Sequence, residues 1–316
     1  MEALREQWLI LISTPFYIFI IVAEMLLSHW QHRPKYTLKD TLSNIYLMLL
    51  NGGIDLAFRA IYVSIVFQYC YAHRFVSWQK NAGYWLLLLL AEDFLYYWLH
   101  RFDHEIRFFW ATHVTHHSSQ QFNFSVGFRS SVFQPLYRFV YFMPLPCLGF
   151  QPVDILFIYA STQIWGIFVH TEMIDKMGWL EHILVTPSHH RVHHASNPKY
   201  LDKNMGMFLI VWDKLFGTFQ QELEEAAYQP IQYGLTKNIE KPTAFSLVLH
   251  EWLQLAKDIC QKGLTINQRL QYLFGPPGYS HDGSRQTSGQ MRAEENDENS
   301  YAVDIEPSTW GVQEGV

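Results

Sequence analysis

The spacing of the histidines constrains the fold more than any other feature of this sequence. Eleven of the 16 histidines lie between His100 and His194. Eight of them form one His-x-x-x-His pair and two His-x-x-His-His runs, comprising His100, His104, His113, His116, His117, His190, His193 and His194. Residues three and four apart share one face of a helix, so each cluster projects its imidazoles to one side. Neutral imidazole is a common metal ligand, and eight imidazoles are too many for one ion. The clusters therefore predict a two-metal site where three helices meet.

The composition indicates burial in a membrane. Only 16% of the residues are charged and another 16% are aromatic, whereas soluble domains carry about 25% charged residues. The formal net charge of −6 equals the charge of residues 281–316, which hold eight acids and two bases. The remaining chain is neutral overall, and we expect no nucleic-acid partner. The three cysteines form no Cys-x-x-Cys pair, which argues against a zinc ribbon.

Apolar segments predict the topology. A segment of about 20 residues crosses a bilayer of about 30 Å as a helix, and residues 8–27 meet that length. The basic residues that follow place the next loop in the cytoplasm. Two further crossings and a hairpin of two short arms would bring all three clusters to the cytoplasmic face. The further segments are residues 41–70, 82–99 and 134–170.

We therefore predict an all-α integral membrane helical bundle of about four crossings, or crossings plus re-entrant segments. A cytoplasmic helical domain that holds the histidine-rich dimetal site would cap it. We divide the chain into an N-terminal transmembrane helix with a basic loop, a membrane-embedded catalytic domain, a peripheral helical segment and a disordered acidic tail, at residues 1–40, 41–222, 223–278 and 279–316.

Several carboxylates lie near the histidines or inside the apolar segments. Asp93 precedes His100 by seven residues on the same helical face, where it would either orient a ligand histidine or face interfacial water. Asp55 and Arg59 are four apart and form either an ion pair or a polar lining. Further carboxylates are available to accept hydrogen bonds from the imidazoles: Asp103, Glu105, Glu172 and Asp175.

The pattern bears on which metal is bound. No His-Glu-x-x-His zinc-protease motif occurs at the first cluster, and the Glu-x-x-His pairs of soluble di-iron bundles are missing from the sequence. An all-imidazole two-metal site on a membrane favours iron and oxygen chemistry over hydrolysis. Zinc can replace iron in a purified sample because such sites bind zinc more tightly. A metal transporter or store without turnover and a two-zinc hydrolase remain alternatives.

The cluster order after a transmembrane helix resembles the fatty acid hydroxylase and sterol desaturase superfamily of membrane di-iron oxygenases. Within it, several motifs are similar to those of alkylglycerol monooxygenases: Tyr96–Arg101, His113–Ser119, His170–Glu172, Thr186–His194, Asp202–Asn204, Trp212–Phe219 and Gly275–Gly278.

This resemblance implies two iron ions, O₂ as co-substrate and oxidation of an unactivated C–H bond in a lipid. It adds His170 as a ninth ligand, places His189 beside the site and makes Glu105 a candidate catalytic residue. Asp93 is a second candidate because of its helical spacing from His100. The expected reaction is hydroxylation of the ether-linked carbon of an alkylglycerol-type lipid, with sterol or fatty acid hydroxylation or desaturation as the alternative. The expected partners are a bilayer lipid and an electron donor, either tetrahydrobiopterin or a redox protein. The enzyme would lie in a bacterial inner membrane or the endoplasmic reticulum.

Overall fold

The computed structural model describes residues 3–32 and 35–304, and side chains for residues 14–32 and 35–297. The described part is helical and contains no β-strand. Two isolated bridges, Leu184 with Leu209 and Ala195 with Tyr233, are its only extended pairings. The predicted all-α class is confirmed for these residues.

The first two helical segments are the most apolar. Helix α1 spans Ala3–Trp30, and its described apolar part, Thr14–Trp30, is shorter than a full crossing. Helix α2 spans Leu38–Ile61 and continues through a π-helical turn, Tyr62–Phe67, into α3, Gln68–Ala72. Residues 38–72 form the one helix in the described residues that is long and apolar enough to cross a membrane.

Charged residues inside this long helix are paired. Arg59 Nε lies 2.8 Å from the Asp55 carboxylate, one helical turn away. Arg138 contacts the other oxygen of the same carboxylate. The ion-pair interpretation of Asp55 and Arg59 is therefore correct, with a third partner that the spacing could not indicate. An isolated charge in so apolar a helix would be costly, and the pairing reduces that cost.

The central helices carry the first two histidine clusters. Helix α4 spans Ala82–Glu105 and begins at Asn81, whose side chain accepts a hydrogen bond from the Tyr84 amide. Helix α5 spans Arg107–His117. The extended residue Ile106 separates the two helices, so α5 turns back and its histidines face those of α4.

The predicted hairpin is present as helices of unequal length. Helix α6 spans Pro135–Phe142, α7 spans Pro144–Cys147 and α8 spans Pro152–Phe168. Gly149 turns the chain at a φ of +94° with its Cα packed against the Val76 carbonyl, where a Cβ would lie 2.0 Å from that oxygen. The hairpin packs on α4 through a largely aromatic core that includes Tyr96, Phe139, Phe142 and Tyr159.

The remaining helices cover the site. Helix α9 spans Pro187–His194 and α10 spans Val211–Phe216. Helices α11 and α12 span Ala244–Ile259 and Ile266–Phe274. Helix α11 packs on α5, where Thr115 donates a hydrogen bond to the Leu247 carbonyl.

The prediction of a disordered tail from residue 279 is wrong for residues 279–304. Helix α13 spans Ser288–Asp304, and its described side chains bind the rest of the chain. Glu295 accepts a hydrogen bond from the Tyr228 hydroxyl, and Arg285 pairs with Asp258. The acidic composition indicated disorder, and composition alone cannot show partners that are distant in the sequence. Residues 305–316 of the predicted tail lie outside the described residues.

Candidate metal centre

Three helix ends bring the histidines together. His100 and His104 occupy the last turns of α4, and the second cluster occupies the last turns of α5. Helix α9 is short but strongly capped: Thr186 caps its N-terminus, Pro187 follows, and His189 completes the capping box. His189 Nδ1 lies 3.3 Å from both the amide and the hydroxyl of Thr186, so its ring serves the helix cap.

The nine predicted ligand histidines fall into two groups. In each group, one ring nitrogen of every member lies within 4.8 Å of those of the others. The five-histidine group comprises His100, His104, His113, His117 and His193. The four-histidine group comprises His116, His170, His190 and His194. All are buried except His116, which is partly buried.

The hydrogen bonds of the four-histidine group reveal its protonation. His116 Nδ1 lies 2.9 Å from the Arg129 carbonyl, and His170 Nδ1 lies 2.7 Å from the Gly166 carbonyl. A carbonyl only accepts, so each Nδ1 carries the proton and each neutral ring leaves Nε2 as a bare lone pair. These two Nε2 atoms nevertheless lie 3.4 Å apart. Two lone pairs that face each other at this distance need a cation between them.

The five-histidine group shows the same arrangement. His100 Nδ1 donates to the Met205 carbonyl at 2.8 Å, and His193 Nδ1 donates to the Lys203 carbonyl at 3.0 Å. His193 Nε2 and His104 Nε2 are buried and find no hydrogen-bond partner among the described residues. Each unpaired buried acceptor costs about 1–3 kcal/mol.

The separations of the nitrogens suit a metal ion. His100 Nε2 lies 3.1 Å from His113 Nε2, and His190 Nε2 lies 2.9 Å from His170 Nε2. Two nitrogens bound about 2.1 Å from one ion at angles of 90–109° are about 3.0–3.4 Å apart. The donor set and its spacing therefore fit one metal ion in each group.

Burial also keeps these ligands neutral. Desolvation, reinforced by neighbouring imidazoles, lowers the pKa of His116 from its usual 6.5 to about 4. The same causes lower the pKa values of the other α5 and α9 histidines well below 6.5, namely those of His113, His117, His190, His193 and His194. A neutral ring is the form that binds metal, so protons compete little at neutral pH.

Backbone carbonyls, rather than the expected carboxylates, orient four of the nine rings. Asp103 accepts hydrogen bonds from Gln134 and Tyr137 and lies 3.8 Å from His113 Nδ1. Glu172 contacts Lys35, and the side chain of Asp175 is almost fully exposed. Of the four carboxylates proposed for this role, only Asp103 approaches a ligand histidine.

The two candidate catalytic carboxylates lie beside the histidine groups rather than in them. Glu105 is partly exposed and pairs with Arg101 at 2.8 Å, one turn back on α4. Asp93 accepts hydrogen bonds from the Phe208 and Leu209 amides and from Trp212 Nε1, at 3.0, 3.1 and 2.9 Å. Asp93 thus fixes the segment after Met205, whose carbonyl binds His100, and its influence on that histidine is indirect. Their catalytic roles stay predictions.

Asp202 is a functional candidate that the sequence patterns did not single out. Its Oδ1 lies 3.6 Å from His104 Nδ1. The Asp202–Asn204 motif was noted only for its resemblance to related enzymes. A positive φ at Asp202 and Asn204, 52° and 54°, marks an unusual loop that no spacing rule reveals.

Comparison with known proteins agrees with this geometry. Residues 85–218 match the fatty acid hydroxylase family, and this segment contains all nine histidines. The chain carries a fatty acid hydroxylase domain.

Relatives of the hydroxylase domain are oxidoreductases, which confirms the predicted enzyme class. The human alkylglycerol monooxygenase is 37% identical over 231 residues, 72% of this chain and 50% of the relative. An ornithine lipid hydroxylase of Rhizobium tropici is 29% identical over 199 residues, 60% of this chain and 59% of the relative. A sterol 5(6)-desaturase of Gibberella zeae is 27% identical over 176 residues, 53% of this chain and 50% of the relative. The chain spans about half the length of these relatives, and no solved structure matches it.

Two cavities reach the hydroxylase site from different sides. The larger, about 520 Å³, borders His104, His117, His193 and His194 and is also lined by residues 234–239 and by the start of α13. The smaller, about 140 Å³, borders the members of both groups that face α8, including His100, His116 and His170. Only the larger is in the range of about 300–1,000 Å³ that is usual for organic ligands.

Proposed function

We propose that this protein is a membrane-bound, di-iron, O₂-dependent lipid monooxygenase. The observation that carries the proposal is the pair of histidine groups, in which bare Nε2 lone pairs face each other. The five-histidine group would hold one iron ion and the four-histidine group the other. Bound iron would supply O₂ activation, by which one oxygen atom enters a C–H bond and the other leaves as water at the expense of two electrons.

The protein itself contributes fixed ligands and a dry site. Carbonyls of the backbone fix the rings of His100, His116, His170 and His193, so the ligand geometry does not depend on flexible side chains. Burial of the histidines excludes bulk water from the reacting bond, which limits side reactions.

The larger cavity is the proposed substrate site. Its volume suits the polar head and first carbons of a lipid, whereas about 140 Å³ suits only small molecules such as O₂ or water. Its lining mixes apolar side chains such as Trp110 and Ile239 with polar ones such as Asn238 and Ser288. That mixture suits a reacting carbon that adjoins a polar head.

An alkylglycerol-type lipid places its ether-linked carbon at that junction, and the relatives named alkylglycerol monooxygenase support this choice. Hydroxylation there gives a hemiacetal, which decomposes to a fatty aldehyde and glycerol. The two electrons would come from an external donor, either tetrahydrobiopterin or a redox protein. Sterol or fatty acid hydroxylation or desaturation is the second candidate, supported by the desaturase and lipid hydroxylase relatives.

The proposed location is a membrane that the chain crosses several times, with the histidines toward the cytoplasm. Support comes from the 35-residue apolar helix at residues 38–72, only 6% buried over its most apolar window. Its exposed side chains include Leu42, Leu49, Leu56 and Ile65, which suit contact with lipid tails.

The test is turnover of purified, iron-loaded protein with ¹⁸O₂, an electron donor and a 1-O-alkylglycerol. We expect O₂ uptake and release of a fatty aldehyde, both abolished in His193→Ala. Oxidation of another lipid, with the ether lipid unchanged, would refute the substrate assignment. Two bound irons without O₂ uptake would refute the monooxygenase and favour a metal store or transporter. Hydrolysis without oxygen would favour a two-zinc hydrolase.

A whole-lipid profile of cells that express the wild type or His193→Ala complements this assay. We expect a lipid that differs between the two by one oxygen or by loss of its ether chain. A lipid that differs by two hydrogens would identify a desaturase instead.

A further inference from the structure

One loop supports three members of the five-histidine group. The Lys203 and Met205 carbonyls accept hydrogen bonds from His193 and His100. The Asp202 carboxylate lies beside His104. Residues 201–206, which we call the support loop, therefore hold the outer nitrogens of these three rings.

The second half of the support loop is fixed from within the hydroxylase domain. The Asp213 carboxylate accepts hydrogen bonds from the amides of Met205 and Gly206, at 2.6 and 2.8 Å. The side-chain Nδ2 of Asn204 donates to the His189 carbonyl at 3.0 Å. These contacts hold Asn204 at its positive φ, which few residues other than glycine adopt.

The first half is held by the C-terminal helix. Arg292 of α13 donates to the Leu201 carbonyl at 2.7 Å and pairs with the second carboxylate oxygen of Asp202 at 3.4 Å. Arg292 lies outside residues 85–218, the segment that matches the hydroxylase family. The contact therefore connects the C-terminal helix to a ligand histidine through one side chain.

His104 needs a partner of this kind. Its Nε2 is buried, faces the other histidines and has no hydrogen-bond partner among the described residues. If Nε2 is the ligand atom, Nδ1 must carry the proton and requires an acceptor. The other rings with an identified acceptor use carbonyls or, for His113, the Ser131 hydroxyl. His104 instead has a carboxylate, which makes an imidazole a stronger donor to metal.

We propose that Arg292 positions Asp202 as the carboxylate partner of His104, so that the C-terminal helix helps to set the metal affinity of the five-histidine group. This inference rests on the proposed metal site. Asp202 and Arg292 are positioning residues: neither binds the metal, and both act through His104. Loss of such a partner typically weakens metal binding about 10–100-fold.

The experiment measures metal binding by the full-length protein in detergent, without turnover. Metal content and affinity for Fe²⁺ and Co²⁺ are determined by competition with a chelator, and the Co²⁺ absorption spectrum reports on the ligand environment. We compare wild type, Asp202→Asn, Arg292→Met and the double variant. Glu295→Gln is the matched control, because it alters the same helix at its contact with Tyr228.

We expect Asp202→Asn and Arg292→Met each to weaken the binding of one of the two metal ions by about 10–100-fold. Each should also change the Co²⁺ spectrum. The double variant should be no weaker than Asp202→Asn, because both residues act on one histidine. Glu295→Gln should bind as wild type does. Hydrogen exchange over residues 288–297 shows whether α13 stays docked; if Arg292→Met releases it, Asp202→Asn alone decides.

Unchanged affinity and spectrum in Asp202→Asn would overturn the inference, as would additive effects in the double variant. The metal content of the wild type distinguishes failure of the metal site from failure of the Asp202 role. A wild type that binds fewer than two ions refutes the metal site itself. A wild type with two ions and an unaffected Asp202→Asn refutes only the role of Asp202.

Discussion

The metal-free protein should lose stability steeply as the pH falls below 6.5. Desolvation lowers the pKa values of the six α5 and α9 ligand histidines, and the pKa of His116 to about 4. In the unfolded chain each imidazole takes up a proton near pH 6.5. The unfolded state therefore binds more protons below pH 6.5, and unfolding becomes more favourable as the pH falls.

The magnitude follows from the difference in bound protons. At pH 5.5, a ring that is neutral in the folded protein and has an unfolded pKa of 6.5 lowers the free energy of unfolding by about 1.4 kcal/mol. Six such rings give about 8 kcal/mol, which is comparable to the whole stability of a typical domain, about 5–15 kcal/mol. At pH 7.5 the same contribution is close to zero.

The assay is thermal unfolding of chelator-stripped protein in detergent between pH 7.5 and 5.5. We expect the melting temperature to fall by at least about 10 °C, since about 1 kcal/mol corresponds to about 2–4 °C in proteins of this class. His182→Gln, which removes an exposed histidine of the same stretch, should show the same fall. A melting temperature that is constant over this range would refute the claim that the histidines are buried and neutral without metal.

Three substitutions test other parts of the site. Asp93→Asn replaces a carboxylate that accepts three hydrogen bonds and should lower the free energy of unfolding by about 2–4 kcal/mol. An unchanged melting temperature and metal content would contradict this. His170→Ala removes the ring that contacts all other members of the four-histidine group and should leave about one bound metal ion per chain, measured by metal analysis; retention of two would contradict the grouping. Glu105→Gln breaks a partly exposed ion pair with Arg101 and should lower the free energy of unfolding by at most about 1 kcal/mol. The predicted catalytic role of Glu105 requires that Glu105→Gln lose most of its turnover at an unchanged melting temperature. Unchanged turnover in this variant would refute that role.

The sequence predicted which histidines come together, because helical spacing is a local property. The three helices with His-x-x-x-His or His-x-x-His-His spacing carry their imidazoles on one face. These imidazoles could share metal ions only if the helices meet. His170 stands alone in the sequence, and only the resemblance to related enzymes indicated it. The division into groups of five and four could not be predicted, since His113 and His117 point to one group and His116 to the other. That division depends on the angle at which α5 meets α4 and α9.

The partners of the ligand histidines were harder to predict. Carboxylates near the clusters in sequence were expected to orient the rings, yet four of the nine rings bind backbone carbonyls instead. Every residue has a carbonyl, so no pattern of residue types reveals which one will accept. The order of residues 279–304 was missed for a related reason: Arg292 and Glu295 resemble a solvated tail until their partners in the folded chain are known.

Support by backbone carbonyls also determines how substitutions at this site behave. The groups that hold His100, His116, His170 and His193 belong to Met205, Arg129, Gly166 and Lys203. Replacement of any of these four residues leaves a carbonyl oxygen at the same position of the chain. An alanine scan would therefore report on the side chains at these positions and not on the carbonyls that orient the rings. The orientation of these four metal ligands is thus determined by the path of the backbone and not by the identity of nearby side chains.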